Sequence, residues 1–216
     1  MNILSKWSDL YEEEVLSASS VEEFIKQKLS TKKKVIRLIN KYASNHNILE
    51  VGSGTGVLAL YMSTLNDNKV DALDKDFDMI AISKKYFLDK FQDANINYIC
   101  DDIRNINNIT YDVCYSIGVL EHYDDSEIIN LIHKQISISK YVIIGIPTKY
   151  FDEDKKMYGN ERYLSLRYWR KLIEKSNCKI VEESSYHYLN FPNRIIHYKK
   201  WFKPNPIHIF VITNSY

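Results

Sequence analysis

Between residues 47 and 147 the sequence alternates short apolar runs with longer amphipathic segments, and this alternation limits the possible folds most. The apolar runs are Ile48–Val51, Val70–Leu73, Ile96–Cys100, Val113–Ile117 and Tyr141–Ile146. Continuous runs of this length are typical of strands buried on both faces of a parallel sheet. The amphipathic segments predict helices at about 57–66, 77–91 and 125–139, with a shorter link at 103–110. We therefore expect right-handed β-α-β units.

The remainder of the chain predicts the completion of a doubly wound α/β domain with a Rossmann-like, seven-stranded, mostly parallel sheet. A helix is expected at about 165–176, and two further strands at about 178–186 and Ile207–Thr213. Polar, aromatic stretches interrupt this pattern at about 148–163 and 187–206, and we interpret them as insertions.

The beginning of the chain has a different pattern. Residues 1–30 are charged and weakly amphipathic, which predicts an N-terminal helical extension or lid, and residues 31–216 then form the main domain. Thr31 is predicted as the N-cap of the next helix. The apolar positions of that helix have helical spacing and are Val35, Leu38, Ile39 and Tyr42.

Composition excludes several classes of protein. The 29 Lys and Arg residues nearly balance the 28 Asp and Glu residues, for a net charge of +1, which argues against DNA binding and disfavours RNA. The three cysteines form no Cys-x-x-Cys pair, so neither a disulfide framework nor a metal site is expected. No secretory signal and no long apolar run is present, and we expect a cytoplasmic protein that does not enter a membrane.

A cluster of glycines directly follows the first predicted strand. Glycine makes up roughly 3% of the chain, against a usual ~7%, yet Gly52, Gly54 and Gly56 lie within five residues. A dinucleotide-binding turn would need glycine at position 57, which is Val57, and the Gly-Lys-Ser/Thr ending of a phosphate-binding loop is missing. The spacing favours a turn that holds a nucleoside without a pyrophosphate.

Polar segments also follow the next three predicted strands. Asp74 comes 22 residues after Gly52, where a carboxylate can accept hydrogen bonds from both ribose hydroxyls. Asp101 and Asp102 follow the third strand, with a solvated strand end as the alternative interpretation, and Ser116–His122 follows the fourth. Because parallel strands end at the same edge of the sheet, we expect a ligand site there.

With these four elements in register, the chain resembles the class I S-adenosylmethionine-dependent methyltransferases over roughly residues 45–185. Within that family it is similar to the branch that has a Glu-His pair after the fourth strand. The resemblance implies S-adenosylmethionine as the cofactor. The cofactor-binding residues that it implies are Glu50, Gly52, Gly54, Gly56, Asp74, Lys75, Asp101, Asp102, Ile103, Ile117 and Gly118.

The resemblance also implies roles for these positions. Gly52 and Gly54 would lie near the methionine part of the cofactor, Asp74 would hold the ribose, and Asp102 or Asp101 would reach the adenine amino group. A later stretch, Gly-Asn-Glu-Arg-Tyr-Leu-Ser at 159–165, resembles a family motif in which Gly-His-x-Arg is commoner. Asparagine replaces that histidine here.

His122 is the candidate general base, because the resemblance places it next to the transferred methyl group. The alternative is a structural histidine that caps or packs the following helix. Glu121 is interpreted as a structural or cofactor-side carboxylate rather than a catalyst. Tyr11 and Trp7 could close over the cofactor from the N-terminal helix, where Tyr11 is also a candidate substrate contact, with core packing as the alternative.

The late insertion supplies candidate substrate-binding residues. His187, Arg194 and Trp201 combine rings and cations, which suits a substrate wall that favours an acidic group, and an ordinary surface loop is the alternative. Motifs of other methyltransferase chemistries are missing, including Asn/Asp-Pro-Pro-Tyr after the fourth strand and a Pro-Cys pair. No magnesium-binding set of carboxylates is recognised either.

The principal functional hypothesis is methyl transfer to an oxygen or nitrogen of a small molecule or natural-product peptide. A second hypothesis is RNA or ribosomal-protein methylation, suggested by the basic segment Lys26–Lys41. A third is a non-catalytic, cofactor-binding partner subunit, because no catalytic residue is unambiguous. An NAD-dependent oxidoreductase is disfavoured by Val57.

Overall fold

The computed structural model describes residues 6–149, 160–186 and 207–215. In these residues the strands are β1 (Asn47–Val51), β2 (Lys69–Asp74), β3 (Ile96–Cys100), β4 (Tyr111–Ile117), β5 (Ser139–Pro147), β6 (Cys178–Tyr186) and β7 (Ile207–Asn214). The α-helices are α1 (Trp7–Ser17), α2 (Val21–Ser30), α3 (Lys33–Tyr42), α4 (Val57–Ser63), α5 (Phe77–Tyr86), α6 (Asp125–Ser137) and α7 (Leu166–Lys175). Short 3-10 turns lie at Leu88–Lys90, Ile103–Asn105 and Leu120–His122.

The described strands form one seven-stranded sheet with the order β3-β2-β1-β4-β5-β7-β6. Strands β1 to β5 are parallel, and β7 runs antiparallel between β5 and β6. The prediction of a doubly wound, mostly parallel sheet is thus confirmed. The strand order reverses between β1 and β4, and ligands of such sheets bind at this point, beyond the carboxyl ends of the strands.

Helices cover both faces of the sheet. On one face, α3 buries its apolar stripe, with Val35 and Ile39 fully inaccessible, against β4 and β5. On the other face, α6 and α7 pack through Ile128, Ile132 and Trp169 into a second apolar cluster. Each such side chain contributes about 1.5–3 kcal/mol through burial. The helices are therefore fixed to the sheet, and the strand ends have defined positions.

The described part of the N-terminal extension, α1 and α2, packs against α4 and α5. Phe24 is 2% exposed and stacks on Phe87 at a ring-centroid distance of 5.4 Å. Val15 and Leu60 belong to the same apolar cluster. Ion pairs such as Lys85–Glu12 lie on the exposed side of this contact and add little stability. Apolar packing therefore holds α1 close to the carboxyl edge of the sheet.

The predicted capping role of Thr31 is wrong. The Thr31 hydroxyl donates to the Lys28 carbonyl at 2.9 Å, so this residue ends α2 instead. In the described part of the chain, no side chain caps the start of α3 at Lys33. Only two residues separate α2 from α3, and at such a junction a threonine is compatible with either helix end.

The predicted insertion at 148–163 is described only at its edges, and the one at 187–206 is not described. Residues 187–206, with His187, Arg194 and Trp201, lie outside the described residues, as do 150–159. Across the part of the chain that is described, the helices are too short or too polar to cross a bilayer.

Candidate active site

The glycine turn after β1 is tied to the end of β2. Gly52, Gly54 and Gly56 have φ angles of 68°, 54° and 69°, a left-handed conformation that favours glycine. The N–H groups of Gly52 and Ser53 both donate to the Leu73 carbonyl, at 2.9 and 3.0 Å. The backbone of the turn is therefore held beside the residue that ends β2.

Asp74 joins these two strand ends through its side chain. One carboxylate oxygen accepts from the Gly54 N–H at 2.8 Å, and the other accepts from the Asp76 N–H at 3.0 Å. Burial raises the pKa of Asp74 above its ordinary value, and the two backbone N–H groups oppose that shift. Each oxygen keeps a second lone pair, so the carboxylate can still accept from two ligand hydroxyls.

Gly56 has a packing role at the start of α4. A Cβ at this position would lie 2.2 Å from the Ser83 Oγ of α5 and 3.1 Å from the Ser83 Cβ. The Ser83 hydroxyl itself is hydrogen-bonded to the Tyr98 hydroxyl at 3.0 Å. The third glycine of the turn therefore lets α4 and α5 approach each other closely.

The variant Gly56→Ala is expected to lower the free energy of unfolding by about 2 kcal/mol, through a left-handed φ and a steric clash. Chemical denaturation measures this change. The comparison is repeated in a Ser83→Ala background. There Gly56→Ala should lower the free energy of unfolding by less than it does in the wild-type protein, because the closest clashing atom is gone. If Gly56→Ala lowered the free energy of unfolding equally in both backgrounds, the packing of Gly56 against Ser83 would be contradicted.

The ends of β3 and β4 complete the carboxyl edge. Asp101 accepts hydrogen bonds from the Asp102 N–H and the Asn105 side chain, both at 2.7 Å, and Asp102 caps the following 3-10 turn. The Gly118 N–H donates to the Gly145 carbonyl at 2.9 Å, which fixes the exit from β4 against β5. Local hydrogen bonds thus orient the side chains of Asp101 and Asp102, and both side chains remain partly exposed.

A cavity of about 330 Å³ opens between these strand ends and α1. Its volume is within the range of small-molecule sites. The predicted cofactor residues that line it are Gly52, Gly54, Asp74, Lys75, Asp101, Asp102, Ile103, Ile117 and Gly118. Glu50 and Gly56, although described, are not among its lining residues.

Glu50 lies on β1 and is 6% exposed. Burial raises the pKa of its carboxyl to about 8, from an ordinary value of 4.5. The pKa of the Tyr115 phenol is also raised, by burial first and then by Glu50. At neutral pH Glu50 is thus mostly a protonated acid within the fold.

Part of the cavity lining is aromatic. Trp7 and Tyr11 of α1 lie stacked at 6.1 Å, and the Trp7 ring contacts His122 edge to face at 5.2 Å. Tyr11 and His122 both line the cavity. The Lys75 ammonium group donates a hydrogen bond to the Tyr123 hydroxyl at 3.4 Å.

Glu121 does not belong to this lining among the described residues. It is 4% exposed, and burial raises the pKa of its carboxyl to about 8. A Cβ at Gly118 would lie 3.7 Å from the Glu121 Oε1, so this carboxyl lies close to the backbone of Gly118. This position agrees with the interpretation of Glu121 as a structural side chain.

Several lining residues gave no signal in the sequence. Met79 lies on α5, and Leu131 and Gln135 lie on α6, whereas Val119 belongs to the segment Ser116–His122 that was predicted after β4. A Cβ at Gly52 would lie 2.6 Å from the Val119 Cγ2, which shows how closely the two turns approach. Residues on helices that face a cavity have the same periodicity as core residues, so the pattern does not distinguish them.

The lining fits an adenosyl group. Its carboxylates can accept from hydroxyl and amino donors, its apolar side chains such as Ile103 and Met79 can contact a base, and its glycine backbone allows a ligand to approach closely. Within residues 6–149, 160–186 and 207–215, no group of three or more His, Cys, Asp or Glu side chains is placed to hold a metal ion.

Comparison with known proteins agrees with this geometry. Residues 48–140 match the family model described as a methyltransferase domain. Malonyl-[acyl-carrier protein] O-methyltransferase 1 of Ilyobacter polytropus is 26% identical over 125 residues, which are 56% of this chain and 41% of that protein. The mitochondrial ubiquinone biosynthesis O-methyltransferase of Dictyostelium discoideum is 31% identical over 116 residues, 49% of this chain and 36% of that protein. The chain thus matches less than half the length of either relative.

Solved structures show the same fold. The magnesium protoporphyrin IX methyltransferase of Synechocystis PCC 6803 with bound SAH has a TM-score of 0.66 at 15% identity. That match covers 88% of this chain and 84% of the other. The mitomycin 7-O-methyltransferase has a TM-score of 0.60 at 13% identity, covering 80% of this chain and 50% of the other.

Proposed function

We propose that this chain, a member of the class I S-adenosylmethionine-dependent methyltransferases, transfers a methyl group to an oxygen or nitrogen atom of a small molecule or peptide. One observation carries the proposal. Asp74 holds the glycine turn through Gly54 while lining a nucleoside-sized cavity that His122 also lines.

The described residues suggest how the cofactor is held. Asp74 accepts from the ribose hydroxyls, and Asp101 or Asp102 accepts from the adenine amino group. The backbone at Gly52 and Gly54 borders the methionine part. All five residues line the cavity, which supports this arrangement. When bound, S-adenosylmethionine supplies a methyl group already attached to a good leaving group.

The protein then has two tasks, positioning and proton transfer. Correct alignment of the acceptor can lower the barrier by about 7–11 kcal/mol. A general base contributes a further factor of about 10²–10⁴ when the acceptor must lose a proton. His122 is the proposed base, because it lines the cavity beside Gly118. Trp7 and Tyr11 of α1 cover the cavity and exclude water from it.

Oxygen is the favoured acceptor atom. Both curated relatives are named as O-methyltransferases, which supports oxygen over nitrogen without identifying the acceptor molecule. The aromatic wall of Trp7, Tyr11 and Tyr123 suits an acceptor with an apolar body. His187, Arg194 and Trp201 stay predicted substrate contacts.

Isothermal titration with S-adenosylhomocysteine tests the proposal, and a dissociation constant on the order of micromolar is expected. NAD⁺, which carries a pyrophosphate, is the control ligand and is expected not to bind, because Val57 replaces the third glycine of a dinucleotide turn. Absence of S-adenosylhomocysteine binding at millimolar concentration would reject the function.

RNA methylation is the weaker alternative. Two of the basic side chains on α3 are engaged within the protein, since Lys34 donates to the Ser185 carbonyl and Lys41 pairs with Glu182. The Glu182 carboxylate offsets the charge of Lys41, and the carbonyl contact occupies one of the donors of Lys34 that a phosphate would need. RNA affinity that falls steeply with salt would support this alternative. Turnover on any acceptor would exclude the non-catalytic hypothesis.

A further inference from the structure

His122 has a hydrogen-bond partner outside the strand-end motifs. Its Nδ1 lies 2.9 Å from the Oδ1 of Asn160, and both residues line the cavity. Asn160 is far away in the sequence, at the start of the described segment that leads to α7. An amide oxygen accepts hydrogen bonds only, so Nδ1 must carry the proton.

The segment that carries Asn160 is fixed on both sides of His122. The Arg162 N–H donates to the Glu121 carbonyl at 2.9 Å, and its guanidinium donates to the Tyr123 carbonyl at 2.8 Å. The same guanidinium pairs with Asp125 at 2.7 Å. The residues before and after His122 therefore both hold Arg162, and Asn160 is kept within reach of the ring.

The ring of His122 is confined from a second direction. Trp7 contacts it edge to face at 5.2 Å, with an interplanar angle of 82°. Rotation of the imidazole would break both this contact and the bond to Asn160. The ring therefore has a preferred orientation as well as a preferred tautomer.

We propose that Asn160 is a positioning residue that holds His122 as its Nδ1–H tautomer and thereby leaves the Nε2 lone pair for catalysis. This inference rests on the proposed function, in which His122 is the base. Nε2 takes the proton that the acceptor atom loses as that atom bonds to carbon and the carbon–sulfur bond breaks, its electron pair remaining on sulfur. Asn160 itself touches neither reacting atom.

Nitrogen-15 NMR of the histidine side chains tests the tautomer directly, since protonated and unprotonated ring nitrogens have different shifts. The spectrum is recorded at pH about 9, where neutral histidine predominates, and His122→Gln identifies the signals of His122. The wild-type protein is compared with Asn160→Leu, which removes the acceptor, and with Asn160→Asp, which retains one. Asn160 is exposed, so all variants are expected to fold, and thermal melts check this.

We expect Nδ1–H in the wild-type protein, a decrease of about tenfold in its ratio to Nε2–H in Asn160→Leu, and recovery in Asn160→Asp. A wild-type ring that is Nε2–H, or a ratio that Asn160→Leu leaves unchanged, would overturn the role of Asn160.

Titration with S-adenosylhomocysteine separates this inference from the proposed function. The titration is made on the wild-type protein, so its result does not depend on any change at Asn160. Binding with an unchanged tautomer ratio would contradict only the role of Asn160. Expected tautomers without any binding would contradict the function of the site.

Discussion

Replacing Asp74 with alanine is expected to weaken the binding of S-adenosylhomocysteine by at least roughly 100-fold. The carboxylate is proposed to accept from two ribose hydroxyls, and a hydrogen bond to a charged group contributes about 1.5–3 kcal/mol. The same side chain holds the Gly54 N–H at 2.8 Å, so its removal also loosens the glycine turn. Isothermal titration of both proteins measures the ratio of their dissociation constants.

Two further variants make this test specific. Asp74→Asn keeps the shape of the side chain but removes its charge, and we expect an intermediate loss of about tenfold. Asp89→Ala replaces an exposed aspartate of the 3-10 turn at Leu88–Lys90, and its affinity should equal that of the wild-type protein. An Asp74→Ala protein that binds as well as Asp89→Ala would show that the nucleoside does not lie against β2.

The raised pKa of Asp74 adds a dependence on pH. Because burial favours the protonated form, the carboxyl takes up a proton at a higher pH than an ordinary aspartate. Protonation removes acceptor capacity, so affinity should decrease as the solution becomes more acidic. The titration repeated at several pH values below neutrality follows this decrease, and Asp74→Ala should not show it.

The wild-type protein is expected to lose stability as the pH rises from about 4.5 to about 8, and Glu50→Gln should remove part of this loss. The folded carboxyl has a pKa of about 8, raised by burial from 4.5, so the fold retains a proton that the unfolded chain releases. Each pH unit in this window then lowers the free energy of unfolding by about 1.4 kcal/mol. Glutamine carries no charge, and its advantage should reach up to about 4 kcal/mol at pH 8.

Urea denaturation at several pH values from about 4.5 to 8 measures the effect of Glu50. Below 4.5 both states are protonated, so the wild-type protein and Glu50→Gln should differ least there. Glu174→Gln, at an exposed position of α7, is the matched control and should follow the wild-type curve. Parallel curves for Glu50→Gln and the wild-type protein would show that Glu50 is ionised in the fold. Glu121 should contribute a similar slope, because burial also raises its pKa to about 8.

Much of the fold could be predicted from residue patterns. The structure has a strand at each of the predicted apolar runs, and β6 has the predicted bounds of Cys178–Tyr186. Parallel strands buried on both faces produce this pattern directly. The helix junction at Thr31 could not be predicted, because the hydroxyl of threonine can bond at either end of a helix and tertiary packing determines which.

The site could be predicted where its residues directly follow strands. Gly52 and Asp74 could be placed because Gly52 follows β1 and Asp74 ends β2, and parallel strands end together at one edge. The role of Gly56 could not be distinguished from the roles of Gly52 and Gly54, although Gly56 packs against Ser83 and does not line the cavity. A glycine needed for helix packing and a glycine needed for a ligand look alike in the sequence.

The sequence by itself determined the order of the elements and the residues at the carboxyl edge of the sheet. Both depend on contacts between neighbours along the chain and on the periodicity of side-chain burial. The contacts of Trp7 and Asn160 with His122, by contrast, depend on the three-dimensional fold, because the three residues lie far apart in the sequence. Such contacts depend on how helices and loops pack over the sheet, and residues so far apart in the sequence have no shared spacing that could reveal them.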